Sequence, residues 1–385
     1  HMDTFGTLRR WFQGPRGPFR SLSSLILLFL AIVPAFPAGA AENSVRSAPT
    51  RPGAASPAVP SASAPAAPSG EKPLPGKRFG RIEYVSLAAA APRLGARLNW
   101  LEAGRRLELK GPGGRAEVET DSREITVNGL RVFLGDPVVA SGGDAFVSRV
   151  DHERCLLPLL RPGHGQAPRA APRVIVLDPG HGGTDPGKIN DRLGISEKTL
   201  TLDVARRAQR LLEADGHRVL LTRDDDSFVA LPQRAAAARA AKADVFVSIH
   251  FNAVPRDNRT SGVEVYTFAP RFQRSTNAWG AGARDDTEEF ASPANRHDHW
   301  NVLLAHALHR RFVNDLKSDD RGKKLMHLAV LRPLDCPGVL VECGFLSSDA
   351  EARKIASPAH RQQLAVAIAA GLRDYAAVLA RARAK

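Results

Sequence analysis

Four side chains in the C-terminal part of this chain have the types needed for metal-assisted hydrolysis. They are His181 in a DPGHGG loop, Glu197 at a predicted helix start, His250 closing DVFVSIH and Glu342 closing VLVE. Two imidazoles and a carboxylate with an open fourth position is a set that catalytic zinc sites use, because the vacancy admits water. A further carboxylate, Glu342, would then work on that water as a base. The chain reads as a hydrolase with one zinc per catalytic domain, held by His181, Glu197 and His250.

Each residue has a plainer reading. The glycines around His181 let its loop approach a ligand closely, which would also suit a phosphate; that rival lacks the Lys-Ser/Thr ending and the GxGxxG spacing. Glu197 follows Ser196, a good N-cap, and by itself would serve only to complement a helix dipole. His250 alone would be read as a part-buried core or rim histidine. Glu342 is the hardest to explain blandly, since an acid directly after Val339-Leu340-Val341 is costly when buried charged and unpaired. His297 and His299 flank Asp298 in a polar stretch, and His306 and His309 lie at helical spacing; without an HExxH motif these are expected on a solvated polar face.

The elements that must position these residues alternate. Strands are predicted at 173–177, 217–221, 244–250, 262–268, 328–331 and 339–342, and helices at 197–214, 231–241, 300–316, 350–355 and 359–380. Near-continuous apolar runs such as VIVL and VFVSI require cover on both faces. The expected fold is α/β: a three-layer αβα catalytic domain at 173–381 with a mostly parallel or mixed twisted sheet. In such sheets sites gather outside the carboxyl ends of strands, where His181, His250 and Glu342 fall.

A small α+β accessory domain with about four strands is predicted at 78–162, from alternating stretches around RLELKG, AEVETD, EITVNGL and VFLG, with Asn128-Gly129 as a turn signal. It resembles the repeat domain found at the start of copper amine oxidases and in bacterial envelope proteins, and carries no catalytic constellation of its own. Residues 163–172 read as a linker. Residues 41–77, dominated by Ala, Pro, Ser and Gly, have too little to bury to offset the entropy of ordering, and read as a disordered linker.

At 1–40 four arginines precede an apolar run at 25–33, followed by Ala38-Gly39-Ala40. This is the layout of a secretory signal peptide, and it places the expected protein in the periplasm or another extracytoplasmic space. Membrane contact would come only during export or through an uncleaved signal. The net charge of +14 suits an anionic envelope polymer or a merely solvated basic surface. Arg and Lys are scattered, however, with few aromatics among them, which points away from nucleic acid. Three cysteines, Cys155, Cys336 and Cys343, give no disulfide framework.

VIVLDPGHGGTDPG, ISEKTLTLDVA, DVFVSIHFNA followed by SGVEVYTF, and CPGVLVECGFLSSDAEA together resemble the zinc-dependent N-acetylmuramoyl-L-alanine amidases over about 173–375. The resemblance implies that His181, Glu197 and His250 bind zinc and that Glu342 acts in catalysis. It implies cleavage of the amide between N-acetylmuramic acid and L-alanine in peptidoglycan, with an envelope activator protein as a further expected partner. Another zinc amide hydrolase, a peptidase or deacetylase, and a non-catalytic wall-binding protein are the alternatives. Two departures stand out. The interval 269–320, with its acidic run at 285–289, is longer than compact relatives need, and either shapes or regulates the site or is a solvated loop. Phe251 stands where the family usually has a small residue, and is expected to narrow the site.

Overall fold

The computed structural model describes residues 72–383, apart from 168 and 281. The signal layout at 1–40, and the linker at 41–77 apart from residues 72–77, lie outside the described residues. In chain order the strands of the main sheet are β1 (Arg97–Glu102), β2 (Arg106–Gly111), β3 (Gly114–Glu119), β4 (Glu124–Val127), β5 (Leu130–Phe133), β6 (Val174–Pro179), β7 (Arg218–Leu221), β8 (Val245–Asn252), β9 (Val263–Phe268), β10 (Asp320–Met326) and β11 (Gly338–Phe345). Across the sheet they run β7-β6-β8-β11-β9-β10-β5-β4-β3-β2-β1. The strands β7, β6, β8 and β11 are parallel, and β9 joins β11 antiparallel, so the sheet is mixed. The principal helices are α1 (Glu197–Ala214), α2 (Leu231–Ala240), α3 (Asp298–Leu316), α4 (Asp349–Ala356) and α5 (Pro358–Arg383).

Period-2 alternation sorts the apolar residues onto two faces. Ile175, Leu177, Val245, Val247, Ile249, Val339 and Val341 pack with α1, α3 and α5. The intervening Val176, Phe246 and Leu340 pack on the other face with Ala235 and Ala238 of α2 and with Leu328, Leu331 and Leu334. This is the three-layer α/β arrangement expected. The second face is covered by one helix and irregular chain, so it leaves room near the strand ends for polar side chains. Ser248, His250, Glu264 and Glu342 share the parity of that face.

Three expectations need correction. Residues 328–331 form a turn and not a strand, and the strand is β10, whose sequence DRGKKLM looks solvated. Lys323 and Lys324 are 2 % and 7 % exposed there, so two cations that suggest a surface loop in fact lie in a buried strand. The histidines of α3 do not form a solvated face. His309 is fully buried with Nε2 2.9 Å from Asp320 Oδ1, and His299 is buried against the Pro162 carbonyl. The reason is that α3 is wedged between α5 and the N-terminal module. Phe251 is 1 % exposed in the core beneath α1 and so points away from the site it was expected to narrow.

The four strands expected in the N-terminal module are β2 to β5, and Asn128-Gly129 makes the two-residue turn between β4 and β5, both residues with positive φ. The module also contains β1 and four short strands at Gly76–Phe79, Ile82–Ser86, Val139–Ser141 and Asp144–Ser148, which form a second sheet. Its β5 pairs in parallel with β10 through Val132 and Lys323, so the main sheet runs unbroken from module to catalytic half. Leu107, Val118 and Val132 of the module belong to the same core as Leu304 and Phe312 of α3. All three cysteines are free and buried.

Candidate functional site

The loop after β6 is built by two buried arginines. His181 has φ of 63°, a region a non-glycine residue enters only when its surroundings hold it there. Arg223 donates to the carbonyls of Pro179 (3.0 Å) and Gly180 (2.8 Å), and Arg234 to those of Pro179 (2.8 Å) and His181 (2.8 Å). Arg234 is itself paired with Asp178 at 2.7 Å, both nearly inaccessible, and Asp178 also accepts from Thr222 Oγ1 (2.5 Å) and Ser248 Oγ (2.7 Å). Three consecutive carbonyls are therefore pinned by charge-assisted bonds. Sequence reasoning missed both arginines, because Arg223 follows the predicted strand 217–221 and Arg234 lies in the first turn of the predicted helix 231–241, with nothing local to signal that either is buried.

Glu197 is fixed from its backbone upward. Its own N–H donates to the Lys188 carbonyl (2.8 Å) and that of Lys198 to the Pro186 carbonyl (3.1 Å), so the loop carrying His181 satisfies the open start of α1. Ser196 does not cap this helix with its side chain, contrary to expectation. The Glu197 carboxylate accepts from the backbone of Lys188 (2.9 Å) and Phe251 (3.1 Å).

Around that carboxylate the two imidazoles meet. Glu197 Oε1 lies 3.1 Å from His181 Nε2 and 2.9 Å from His250 Nδ1, and the three donor atoms all fall within 4.8 Å of one another. His181 and His250 keep 24 % and 19 % of their side chains exposed while Glu197 keeps 6 %, so the cluster opens toward solvent on the histidine side. Two glycines make the approach feasible. A Cβ at Gly180 would lie 2.2 Å from the His250 ring, and one at Gly187, whose φ is +63°, would strike both Glu197 and His181. Asp185, also missed from sequence, accepts from His181 Nδ1 at 2.8 Å and thereby turns Nε2 toward Glu197.

The electrostatics favour a cation. Burial opposes a charged carboxylate at Glu197, but the two imidazoles outweigh it and hold its pKa low. Burial also opposes charge on His181, and the carboxylates of Glu197 and Asp185 overcome it, raising this ring to about 9. Two imidazole nitrogens and a carboxylate oxygen converging in a field that draws positive charge fit zinc in donor chemistry.

Glu342 stands directly across from His250 in the β8–β11 register and from Glu264 in the β11–β9 register, putting the three on one face. Its Oε2 is buried without a hydrogen-bond partner. Burial pushes its carboxyl well above the usual range, and Glu197 and Glu264 add to the rise. Glu264 was not singled out from SGVEVYTF, although an acid amid valines is the same signal that drew notice to Glu342. It is 1 % exposed and accepts from Lys324 Nζ (2.6 Å), Tyr266 Oη (2.7 Å), Asn252 Nδ2 (2.8 Å) and Arg321 Nε (3.0 Å).

The structure thus gathers all four residues singled out from the sequence. Among the described residues, no acid of the 285–289 run joins the donor cluster: Asp285 pairs with Arg274 at 2.9 Å, Asp286 Oδ2 lies 3.4 Å from His327, and Glu288 pairs with Arg332. The same interval also contains α3, a core helix.

Known proteins share this half of the chain. It is 34% identical over 227 residues to a probable N-acetylmuramoyl-L-alanine amidase AmiB of Haemophilus influenzae, covering 53% of this chain and 52% of that one. It is 36% identical over 233 residues to N-acetylmuramoyl-L-alanine amidase AmiC of Neisseria meningitidis, covering 56% and 55%. The solved amidase AmiC2 of Nostoc punctiforme is 30% identical, covering 52% of this chain and 96% of its own, with a TM-score of 0.43. The chain spans about half the length of the curated relatives it matches. The profile described as N-acetylmuramoyl-L-alanine amidase matches residues 175–374, more than half of the chain, and the chain belongs to that family.

Proposed function

We propose that this chain is an exported, extracytoplasmic peptidoglycan hydrolase that cleaves the amide between the lactyl group of N-acetylmuramic acid and the L-alanine of the stem peptide. The observation that carries this reading is the convergence of His181, Glu197 and His250 on one point with Glu342 in register beside His250, within a chain of this family. His181, Glu197 and His250 would hold one zinc ion. When bound, zinc supplies Lewis acidity that lowers the pKa of a water toward ~7 and polarises a carbonyl.

The chain's own residues do the rest. Asp185 keeps the proton of His181 on Nδ1, leaving Nε2 as the donor. Glu342 takes the proton of the attacking water and returns it to the departing alanine nitrogen. A buried carboxyl whose proton affinity is raised suits both halves of that transfer. The products are a glycan strand freed of its peptide, and the peptide. The signal layout and the surplus of basic residues support an envelope location and an anionic wall substrate; an envelope activator protein is part of the same reading.

Mass spectrometry of muropeptides from purified peptidoglycan tests the assignment. The expected result is release of stem peptides with a free L-alanine amino terminus, abolished by chelator and restored by zinc. Cleavage within the peptide or at acetyl groups would instead assign a peptidase or deacetylase. Binding to the wall without any cleavage would leave a wall-binding protein. Asp185→Ala should weaken zinc binding by about 10–100-fold, measured by competition with a chromophoric chelator; unchanged affinity would show that Asp185 does not set the ring.

A further inference from the structure

Among the described residues no metal-donor group lies in the N-terminal module, yet one of its side chains reaches the polar network beside Glu342. Strand β10 lies between the module and the catalytic strands, pairing with β5 on one side and β9 on the other. The module grips it at two places. Arg131 donates its backbone N–H to Asp320 Oδ2 (2.9 Å) and Nη1 to the Asp320 carbonyl (3.0 Å). The Phe133 ring lies 5.6 Å from Lys324 Nζ, and Gly322, at φ +93°, leaves the space this ring fills, since a Cβ there would lie 2.6 Å from it.

Lys324 is the group that connects the two halves. Its ammonium faces Phe133 and, at 2.6 Å, the Oε1 of Glu264, which also receives Arg321 from the same strand. Glu264 Oε2 reaches past β11 to Asn252 at the end of β8, so the carboxylate braces the strands on either side of Glu342. A buried carboxylate holds such a position only while its cations stay in place, and an ammonium is held best where an aromatic face lies beside it.

We infer that the N-terminal module is a positioning part of the catalytic unit: Phe133 and the Arg131 grip seat β10 so that Lys324 and Arg321 fix Glu264, which sets the strand frame of Glu342. This rests on the role given to Glu342 under the proposed function. Phe133 and Lys324 are positioning residues that never touch substrate.

The test is a double-mutant cycle on the full chain, with a soluble N-acetylmuramoyl-L-alanyl peptide as substrate so that wall attachment plays no part. Phe133→Ala and Lys324→Met should each lower kcat about tenfold with KM within about twofold and zinc content unchanged. The double variant should fall no more than about twofold below Lys324→Met alone, because both changes break one connection. Phe133→Tyr should rescue turnover, and thermal melts of each variant establish that it folds. Wild-type kcat in a folded Phe133→Ala protein, or penalties that multiply, would overturn the inference while leaving the amidase reading intact. A wild-type chain that does not cleave this substrate would overturn both.

Discussion

Glu342→Gln is expected to keep zinc and lose turnover by about 10³-fold or more, judging by what removal of an essential proton-transfer group costs. The substitution preserves the shape of a side chain packed between β8 and β9, so the loss isolates proton transfer. Stability should move the other way. The folded-state pKa of Glu342 lies above its unfolded value because burial and the Glu197 and Glu264 carboxylates disfavour its charge. The folded chain therefore binds this proton more tightly, and stability is lost as pH rises from about 4.5 through the raised value. Gln carries no such penalty, so in chelator at neutral pH the variant should melt no lower than the parent. A trade of activity for stability is the mark of a site kept strained for function. Kinetics on soluble substrate with zinc content measured in parallel decide the matter: full turnover in Glu342→Gln would remove this residue from the chemistry.

The residues at the centre of the site were legible because each breaks a local pattern. His250 and Glu342 interrupt apolar strands, His181 sits among glycines after a strand, and Glu197 opens an amphipathic helix. The parallel core was legible for a similar reason, since VIVL and VFVSI leave no polar face for solvent. What escaped were charges that look solvated in one dimension and are neutralised in three. Lys323 and Lys324 concealed β10 because a strand with two adjacent lysines is read as surface, whereas Lys324 is held by Glu264 from a strand far away in sequence. By sequence His309 belongs to a polar face, because nothing local announces Asp320 as its neighbour. Arg223, Arg234 and Asp185 escaped on the same ground: their partners are backbone carbonyls, a histidine nitrogen and, for Arg234, an aspartate 56 residues away, which a pattern of residue types does not display. The continuity of β5 with β10 was equally invisible, since strand order between segments nearly two hundred residues apart is set by which edge is left to cover.

Arg234→Ala should be the most damaging change away from the donor cluster. Arg234 and Asp178 are 3 % and 1 % exposed and 2.7 Å apart, and removing one partner of such a pair leaves a buried charge without compensation. That typically costs about 3–5 kcal/mol; at roughly 2–4 °C per kcal/mol for a domain of this size, the melting temperature should fall by roughly 6–20 °C. Thr222 and Ser248 still donate to Asp178, which places the expected loss toward the lower end. Asp178→Asn combined with Arg234→Met should recover part of the stability, because it removes both charges together. It should not recover zinc affinity. The guanidinium also holds the Pro179 and His181 carbonyls, and without it the positive-φ conformation that aims His181 at Glu197 loses half of its support. A double variant that melts near the parent yet binds zinc weakly would separate the two duties of Arg234. If Arg234→Ala melts within about 2 °C of the parent with zinc affinity intact, the buried pair is not what shapes the loop.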